Sequence, residues 1–391
     1  MTDHFKTDAI QLGAKLLHAF DAEPMVLRVT TRTQVNEPDK HAYLDDGSES
    51  ILPQGFSCYL VKGKDVKPNQ APSQGFPPTL ALPEAIAHLN EGDIVRINPR
   101  RAELWVMYRY ASKHNTMLLT ERCNSWCVMC SQPPKDIDDS YLAASWLRAI
   151  PLMDPSTLEV GISGGEPTLL GESIFSILEA CKVHLPNTAV HMLSNGRMFN
   201  YLTFVKRLSE VMPRDFMVGV PLYSDLACEH DYVVQASGAF DQTVRGLMNL
   251  ARLNVPIELR VVIHSRTVMR LEALSEFICR NLPFVNHVAL MGLEPIGFGK
   301  TNLKALWVDP IDYQVELEKS AKVLQCHGVT ASIYNHPLCL LPESLWSIAR
   351  KSISDWKNIF LDECKACRYL EQCGGLFHSA KLAHSRGIKA F

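Results

Sequence analysis

An α/β chain with six parallel βα units at its centre is what this sequence predicts, and three observations predict it. Between about residues 113 and 308, six short apolar runs alternate with amphipathic stretches, the pattern of parallel βα units. Each apolar run is followed by polar or glycine-rich residues, as expected where strand ends line a site. The flanking segments have a different character, β-favouring before the repeats and cysteine-bearing after them.

The first segment, 1–112, carries β-favouring runs at 25–29, 56–61, 93–97 and 104–108, with a Pro/Gly-rich stretch from Lys67 to Pro83 that reads as a long loop. It predicts a small β-rich domain and shows no catalytic constellation. Extended peptides add to exposed sheet edges, so a peptide-docking role is one expectation for it; cover for one side of the barrel is the other. The second segment, 113–308, places strands at 117–120, 158–163, 189–194, 216–222, 257–264 and 287–293. Helices fall between them at 141–150, 173–183, 204–211, 240–252 and 269–282. The third, 309–391, opens at Asp309-Pro310 with a helix whose Val315, Leu317, Ala321 and Leu324 form an apolar stripe ending at Gly328.

Composition narrows the function classes. With 391 residues, 47% hydrophobic and 21% charged, the chain can bury a substantial core and has no disordered signature. Net charge is 39 − 42 = −3, which gives no general drive toward nucleic acid, and none is expected as a partner. No apolar run approaches a membrane span, and Met1-Thr-Asp-His-Phe-Lys lacks a signal-peptide layout, so a cytoplasmic protein with no membrane partner is expected. The basic residues His378, Lys381, His384, Arg386 and Lys389 near the end read as a solvated face.

Twelve cysteines without a secretory signal point to metal or catalysis before disulfides. Three sit in Cys123-Asn-Ser-Trp-Cys127-Val-Met-Cys130. Thiolates select iron–sulfur clusters or zinc, and a cubane cluster is normally held by four; a CxxxCxxC loop supplies three and leaves one iron open to a small molecule. Zinc would ordinarily pair two CxxC units or add histidines, and neither follows Cys130 closely. The bland alternative is three core thiols. A second group, Cys364-Lys-Ala-Cys367, Cys373 and the upstream Cys339, could hold one closed cluster or a four-cysteine zinc. Cys58, Cys181, Cys228, Cys279 and Cys326 are isolated and read as ordinary core or surface thiols.

After the second apolar run comes Gly164-Gly165-Glu166-Pro167-Thr168, in which the glycines admit close backbone approach and Pro167 fixes the turn. Together with the cysteine loop at the end of the first strand, this turn resembles the radical S-adenosylmethionine (SAM) superfamily. The resemblance implies the family's partial (β/α)6 TIM-like barrel, with a SAM-binding [4Fe–4S] cluster on Cys123, Cys127 and Cys130. It also implies that Gly164, Gly165, Glu166 and Pro167 lie at the SAM amino group. By the same resemblance Ser194 and Asn195 sit at the ribose or carboxylate, Arg260 near the carboxylate, and Ile296-Gly297-Phe298 at the adenine. Read from the residues, Asn195-Gly196 is also simply a strong turn dipeptide, and a strand arginine such as Arg260 is often ion-paired or on the surface. His230-Asp231 reads as a capping or loop-fixing pair.

The carboxy-terminal group resembles the SPASM/twitch extension, which holds auxiliary iron–sulfur clusters in radical SAM enzymes that modify peptides. Phe377 stands where the full SPASM pattern has a further cysteine, so the shorter, twitch-like form with a single second [4Fe–4S] cluster is expected. Arg122 to Pro134, Tyr334-Asn-His-Pro-Leu-Cys339 and Ser352-Ile-Ser-Asp-Trp-Lys357 are similar to the HxsC maturases of the His-Xaa-Ser repeat system. That likeness implies a ribosomally made precursor peptide with His-Xaa-Ser repeats, a companion radical SAM maturase and an electron donor such as flavodoxin or ferredoxin. Two alternatives stay open: a radical SAM enzyme acting on a small metabolite or RNA, and a non-catalytic iron–sulfur subunit that presents precursor.

Overall fold

A computed structural model describes residues 11–13, 15–16, 22–45, 52–62, 77–82, 88–351 and 358–391. The 352–357 motif and most of the Pro/Gly-rich stretch (67–76 and 83) lie outside them. The amino-terminal strands are β1 Gln11–Gly13, β2 Lys15–Leu16, β3 Met25–Thr30, β4 His41–Asp45, β5 Cys58–Lys62, β6 Thr79–Leu82, β7 Ile94–Asn98 and β8 Glu103–Tyr108. They form one sheet in the order β1-β8-β7-β3-β4-β5-β6-β2. Because β1 pairs with β8 and β2 with β6, and only residue 14 separates β1 from β2, the sheet closes on itself around Val29, Leu60, Leu80, Val95, Ile97 and Leu104.

The end strands β1 and β2 each pair on one side only. Contacts set the small barrel against one side of the larger sheet. Arg28 Nη1 donates to the Leu152 carbonyl (3.3 Å), Tyr108 and Thr157 share a 2.8 Å hydroxyl bond, and the Arg96 guanidinium lies 4.5 Å from the centre of the Tyr141 ring.

The central unit runs β9 His114–Leu118, α1 Ser140–Ala149, β10 Glu159–Ser163, α2 Glu172–His184, β11 Ala189–Leu193, α3 Leu202–Val211 and β12 Phe216–Pro221. It continues through α4 Ala227–Val234, α5 Ala239–Arg252, β13 Ile257–Ile263, α6 Leu271–Asn281 and β14 His287–Gly292. Two short helices, α7 Gly297–Thr301 and α8 Leu303–Leu306, then lead to α9 Gln314–Cys326 and β15 Ala331–Tyr334. The strands are parallel and lie in sequence order, β15-β14-β13-β12-β11-β10-β9. Six strands were expected, and the sheet has a seventh. β15 comes from the segment assigned to the carboxy-terminal region; at four residues it was too short to register as a strand beside the long α9.

Burial alternates along these strands. Met117, Val160, Ile162, Val190, Met192, Leu259 and Val261 face the helices and are fully enclosed. The intervening side chains of β9, β10 and β11 are only half-buried. A closed eight-stranded barrel fills its interior with side chains; here the inner face borders open space. The carboxy-terminal segment adds a two-stranded ribbon, β16 Asn358–Ile359 and β17 Leu376–Phe377.

Leu259, fully buried on the interior strand β13, belongs to the helix-side core. Leu259→Ala should cost about 2–5 kcal/mol of stability, read as a lowered denaturation midpoint with unchanged slope.

Candidate functional site

The strand ends gather the first cysteine group. After β9, the buried Asp139 carboxylate accepts from the Thr120 hydroxyl (2.9 Å) and from the Glu121 backbone N–H. Asp139 immediately precedes α1 but makes no cap bond there and turns back to the cysteine loop instead. Further along, the Trp126 and Val128 N–H groups donate to the Val234 and Val233 carbonyls (3.0 and 2.9 Å) at the end of α4. Asn302 Nδ2 donates to the Val128 carbonyl (2.8 Å), and the Phe298 N–H donates to the Cys130 carbonyl (2.8 Å). Arg197 reaches over from the turn after β11, giving Nη1 to the Asn124 carbonyl and the Ser125 hydroxyl and Nε to Gln242 (2.7 Å). The sequence did not reveal Asp139, Arg197 or Asn302, because each acts on backbone distant in the chain.

The Gly164–Thr168 turn packs directly beneath this loop. The Gly165 N–H donates to the Thr120 carbonyl (2.7 Å) and the Glu166 N–H to the Arg122 carbonyl (2.8 Å). A Cβ on Gly164 would come within 2.8 Å of the Thr120 carbonyl, and one on Gly165 would overlap that of Arg122. The Glu166 side chain is wholly buried. One oxygen accepts from the Thr168 N–H (3.0 Å), the Thr168 hydroxyl (2.5 Å) and the Ser194 hydroxyl (2.8 Å); the other accepts from the Asn195 N–H (2.6 Å). Burial raises its pKa against the pull of these donors. Glu166 and Ser194 therefore spend their side chains on each other, welding the ends of β10 and β11, while Pro167 starts the helical turn behind them. Asn195 faces the cysteines: its Nδ2 donates to Asn124 Oδ1 (2.6 Å) and lies 4.0 Å from Cys123 Sγ. Ile296 and Gly297 follow β14 and close the opposite side, with Gly297 pressed so tightly on the Cys130 and Ser131 carbonyls that a side chain would overlap them.

Arg260 projects from β13 onto the inner face and is paired at 2.6 Å with Glu258, which also binds His287 Nδ1 at 2.8 Å. Burial pushes the Glu258 carboxyl up, but the His287 hydrogen bond and the Arg260 charge outweigh it and bring it to about 2. His230 is buried against the Tyr223 ring, which keeps it neutral with a pKa of about 4. Asp231 accepts from the Gly238 and Phe240 N–H groups (2.6 and 2.8 Å) and so caps α5. Arg386 in the basic tail is pinned to Asp309 and Asp312 while its side chain stays mostly exposed.

The three loop thiols are held at high pKa by burial, Cys123 at about 11 and Cys127 at about 12, with Cys130 also raised. Thiolates in so poorly solvated a place need a cation beside them. Soft donors in a loop braced on every side fit an iron–sulfur cluster. The second group converges too: Cys339, Cys364, Cys367 and Cys373 line one pocket of about 350 Å3, part of it open to solvent, with Phe360, Tyr369, Phe391 and Lys389 among its other walls. The Leu338 and Gly375 N–H groups each donate to Cys373 Sγ at 3.4 Å, the kind of contact that stabilises a metal-bound thiolate. Among the described residues, no three His, Cys, Asp or Glu side chains are already set around a single metal ion. Of the other cysteines, Cys58 and Cys181 are buried, Cys279 is half-buried, and Cys228 and Cys326 are exposed.

Residues 117–278 match the radical SAM superfamily profile, so the chain carries a radical SAM domain, the domain type that works with SAM and a [4Fe–4S] cluster. No curated protein matches significantly. Among solved structures, Streptococcus suis SuiB bound to SAM aligns with TM-score 0.47 at 14% identity, over 57% of this chain and 51% of that one. The protein anSMEcpe, with AdoMet and a Cp18Cys peptide, aligns with TM-score 0.44 at 19% identity, over 56% and 62%. A radical SAM methyltransferase from Sphaerobacter thermophilus gives 0.42 at 14%, over 62% and 72%. This chain thus spans about half of SuiB and three fifths of anSMEcpe.

Gly165→Ala should displace the Arg122 backbone and sharply lower iron bound at the first cysteine group, read as iron counts after reconstitution beside the unaltered chain. The Glu258 carboxylate, lowered from 4.5 to about 2, contributes stability fully present above pH 4.5 and lost as pH falls toward 2. Glu258→Gln should remove that acid-side slope, about 3 kcal/mol in all, in denaturant titrations across this window.

Proposed function

We propose, with the radical SAM domain at residues 117–278 as the premise, that this chain is a peptide maturase acting on a ribosomally made precursor of the His-Xaa-Ser repeat type. The observation that carries the reading is the second cysteine set: four thiols from residues 339–373 open into one cavity, beside a barrel whose loop already supplies three. A second [4Fe–4S] cluster suits that cavity, and peptide-modifying members of the superfamily use such auxiliary clusters. Likeness of the 122–134 and 334–339 runs to HxsC maturases supports the precursor type, a companion radical SAM maturase as partner, and a flavodoxin- or ferredoxin-like electron donor. A cytoplasmic setting follows from the need for reduced thiols. No helix among the described residues is long and apolar enough to cross a membrane.

When bound, the cluster and SAM together supply a 5′-deoxyadenosyl radical able to take a hydrogen atom from an unactivated carbon. The chain's own residues position and shield. Cys123, Cys127 and Cys130 would hold the cluster, and Asp139, Arg197 and Asn302 fix the backbone between them. The Gly164–Pro167 turn, Asn195 and the Ile296–Gly297 backbone surround the remaining approach to it. Phe298 and Trp126 stack with ring centres 6.2 Å apart, tying the cysteine loop to the segment after β14.

Anaerobic reconstitution followed by iron, sulfide and zinc counts, then incubation with SAM and a strong reductant, tests the reading. About eight irons and release of 5′-deoxyadenosine are expected, four irons for each cubane. Cys127→Ala should abolish deoxyadenosine, whereas Cys367→Ala should keep the first cluster. About four irons with one zinc would make the carboxy-terminal site a structural staple. Modified precursor in a co-expression mass spectrum is the outcome expected of a maturase; deoxyadenosine without any modified peptide would point to a small metabolite or RNA. A fully iron-loaded chain that never cleaves SAM, even with precursor and partner present, would be a presenting subunit.

A further inference from the structure

Within the loop from Cys123 to Cys130, Trp126 alone is exposed; 53% of its surface meets solvent, and Cys127 is the next residue. A closed circuit of contacts surrounds it. The Trp126 N–H donates to the Val234 carbonyl at the end of α4 (3.0 Å), and on the same helix Tyr232 is 51% exposed, with the Arg266 guanidinium 4.5 Å from its ring centre. Beside Arg266, the Ser265 N–H donates to the Leu306 carbonyl (3.0 Å) and the Ser265 hydroxyl to the Ala305 carbonyl (2.6 Å), which joins this side to α8. The circuit closes through α7, where Phe298 stacks on Trp126. Lys300 on α7 and Lys304 on α8 are both exposed. Trp126, Tyr232, Arg266, Lys300 and Lys304 therefore belong to one surface region beside the first cysteine group.

The charges of this region say what it can meet. Arg266 pairs with Glu229 (2.8 Å), and Arg270 nearby pairs with Asp225 (2.5 Å). Asp231 is half-buried and taken up by the Gly238 and Phe240 N–H groups, and Glu294 is half-buried and engaged elsewhere. Lys300 and Lys304 have no acid partner among the described residues, so the charges left to face a partner are positive. Unlike charges across two faces steer association and set its specificity, while exposed Trp, Tyr and Arg are the side chains that anchor an interface. Electron tunnelling falls off steeply with distance, so a protein reductant has to seat where a metal group lies just under the surface. Here one residue separates the exposed indole from a cluster thiol.

From this we infer that the region around Trp126, Tyr232, Lys300 and Lys304 is the docking face for a small acidic electron-carrier protein, which passes one electron to the cluster on the neighbouring loop. The carrier is oxidised by one electron and the cluster is reduced by one; no bond forms or breaks and no proton has to move. The inference rests on the radical SAM reading for the electron's destination, but not for the docking itself.

The test uses the reconstituted full-length chain and an acidic flavodoxin as probe. Deoxyadenosine release driven by reduced flavodoxin is compared with release driven by dithionite, a small reductant that needs no docking face. Lys300→Glu combined with Lys304→Glu should raise the flavodoxin concentration at half-maximal rate about tenfold or more and flatten its dependence on salt. Iron content and the dithionite-driven rate should match those of the unaltered chain. Lys206→Glu combined with Lys322→Glu makes the same charge change at exposed positions of α3 and α9 and should leave the flavodoxin titration as it was. An unchanged titration in the Lys300 and Lys304 double variant, or an equal loss in the Lys206 and Lys322 one, would overturn the docking face. No deoxyadenosine from the unaltered chain with dithionite would sink the function proposed above, yet calorimetric titration of oxidised flavodoxin into the same variants, which needs no turnover, would still decide the face.

Discussion

One buried carboxylate holds the candidate site together. Glu166 accepts four hydrogen bonds with no solvent access, and every donor comes from the turns after β10 and β11. A carboxylate stripped of water is tolerated only when its lone pairs are filled this completely. That requirement fixes the two turns relative to each other, and the Gly165 and Glu166 N–H groups carry the constraint on to the Thr120 and Arg122 carbonyls. The cysteine loop is thus positioned from below by a network centred on one fully buried side chain. Glu166 and Ser194 matter because they leave Asn195, and the backbone around it, nowhere else to be.

The same division of labour separates the two faces of the parallel sheet. Toward the helices, Val, Ile, Leu and Met pack to completion. Toward the interior, Glu258, Arg260 and His287 pair among themselves, and Gly219 leaves room for them, since a Cβ there would meet His191 and Leu193 at 2.9 Å and Arg260 at 3.1 Å. Polar side chains on an inner face are affordable only because that face is not a dry core. An open interior and a charged interior are two expressions of one fact.

Much of this was legible in the sequence, for a physical reason: strands and helices announce themselves by period, and thiols in a short loop announce themselves by spacing. The six expected strands all fall within a few residues of β9–β14, and the five expected helices match α1, α2, α3, α5 and α6 equally closely. Local readings also held for Asp231, which caps a helix, and for Arg260, whose alternative as an ion-paired strand residue matches its contact with Glu258. What stayed hidden depends on partners far along the chain. Asp139 stands at the start of a helix and serves a loop 18 to 19 residues away. The strand β15 is too short to stand out, and β1 and β2 are shorter still, yet those two close a barrel. Convergence of Cys339 with three cysteines more than twenty residues later was guessed from likeness and could not be derived from spacing.

The ring formed by the first eight strands also bears on how the chain is made. Residues 11–16 leave the ribosome well before the strands they join, β6 and β8. Three neighbouring strand pairs within the ring are parallel, so they too wait for non-local contacts. Until the last seam is sewn, the nascent ring has two bare rims, each able to pair with another copy of itself. The clasp at residues 11–16 therefore also covers, on pairing with β6 and β8, the rims that a half-made ring would expose.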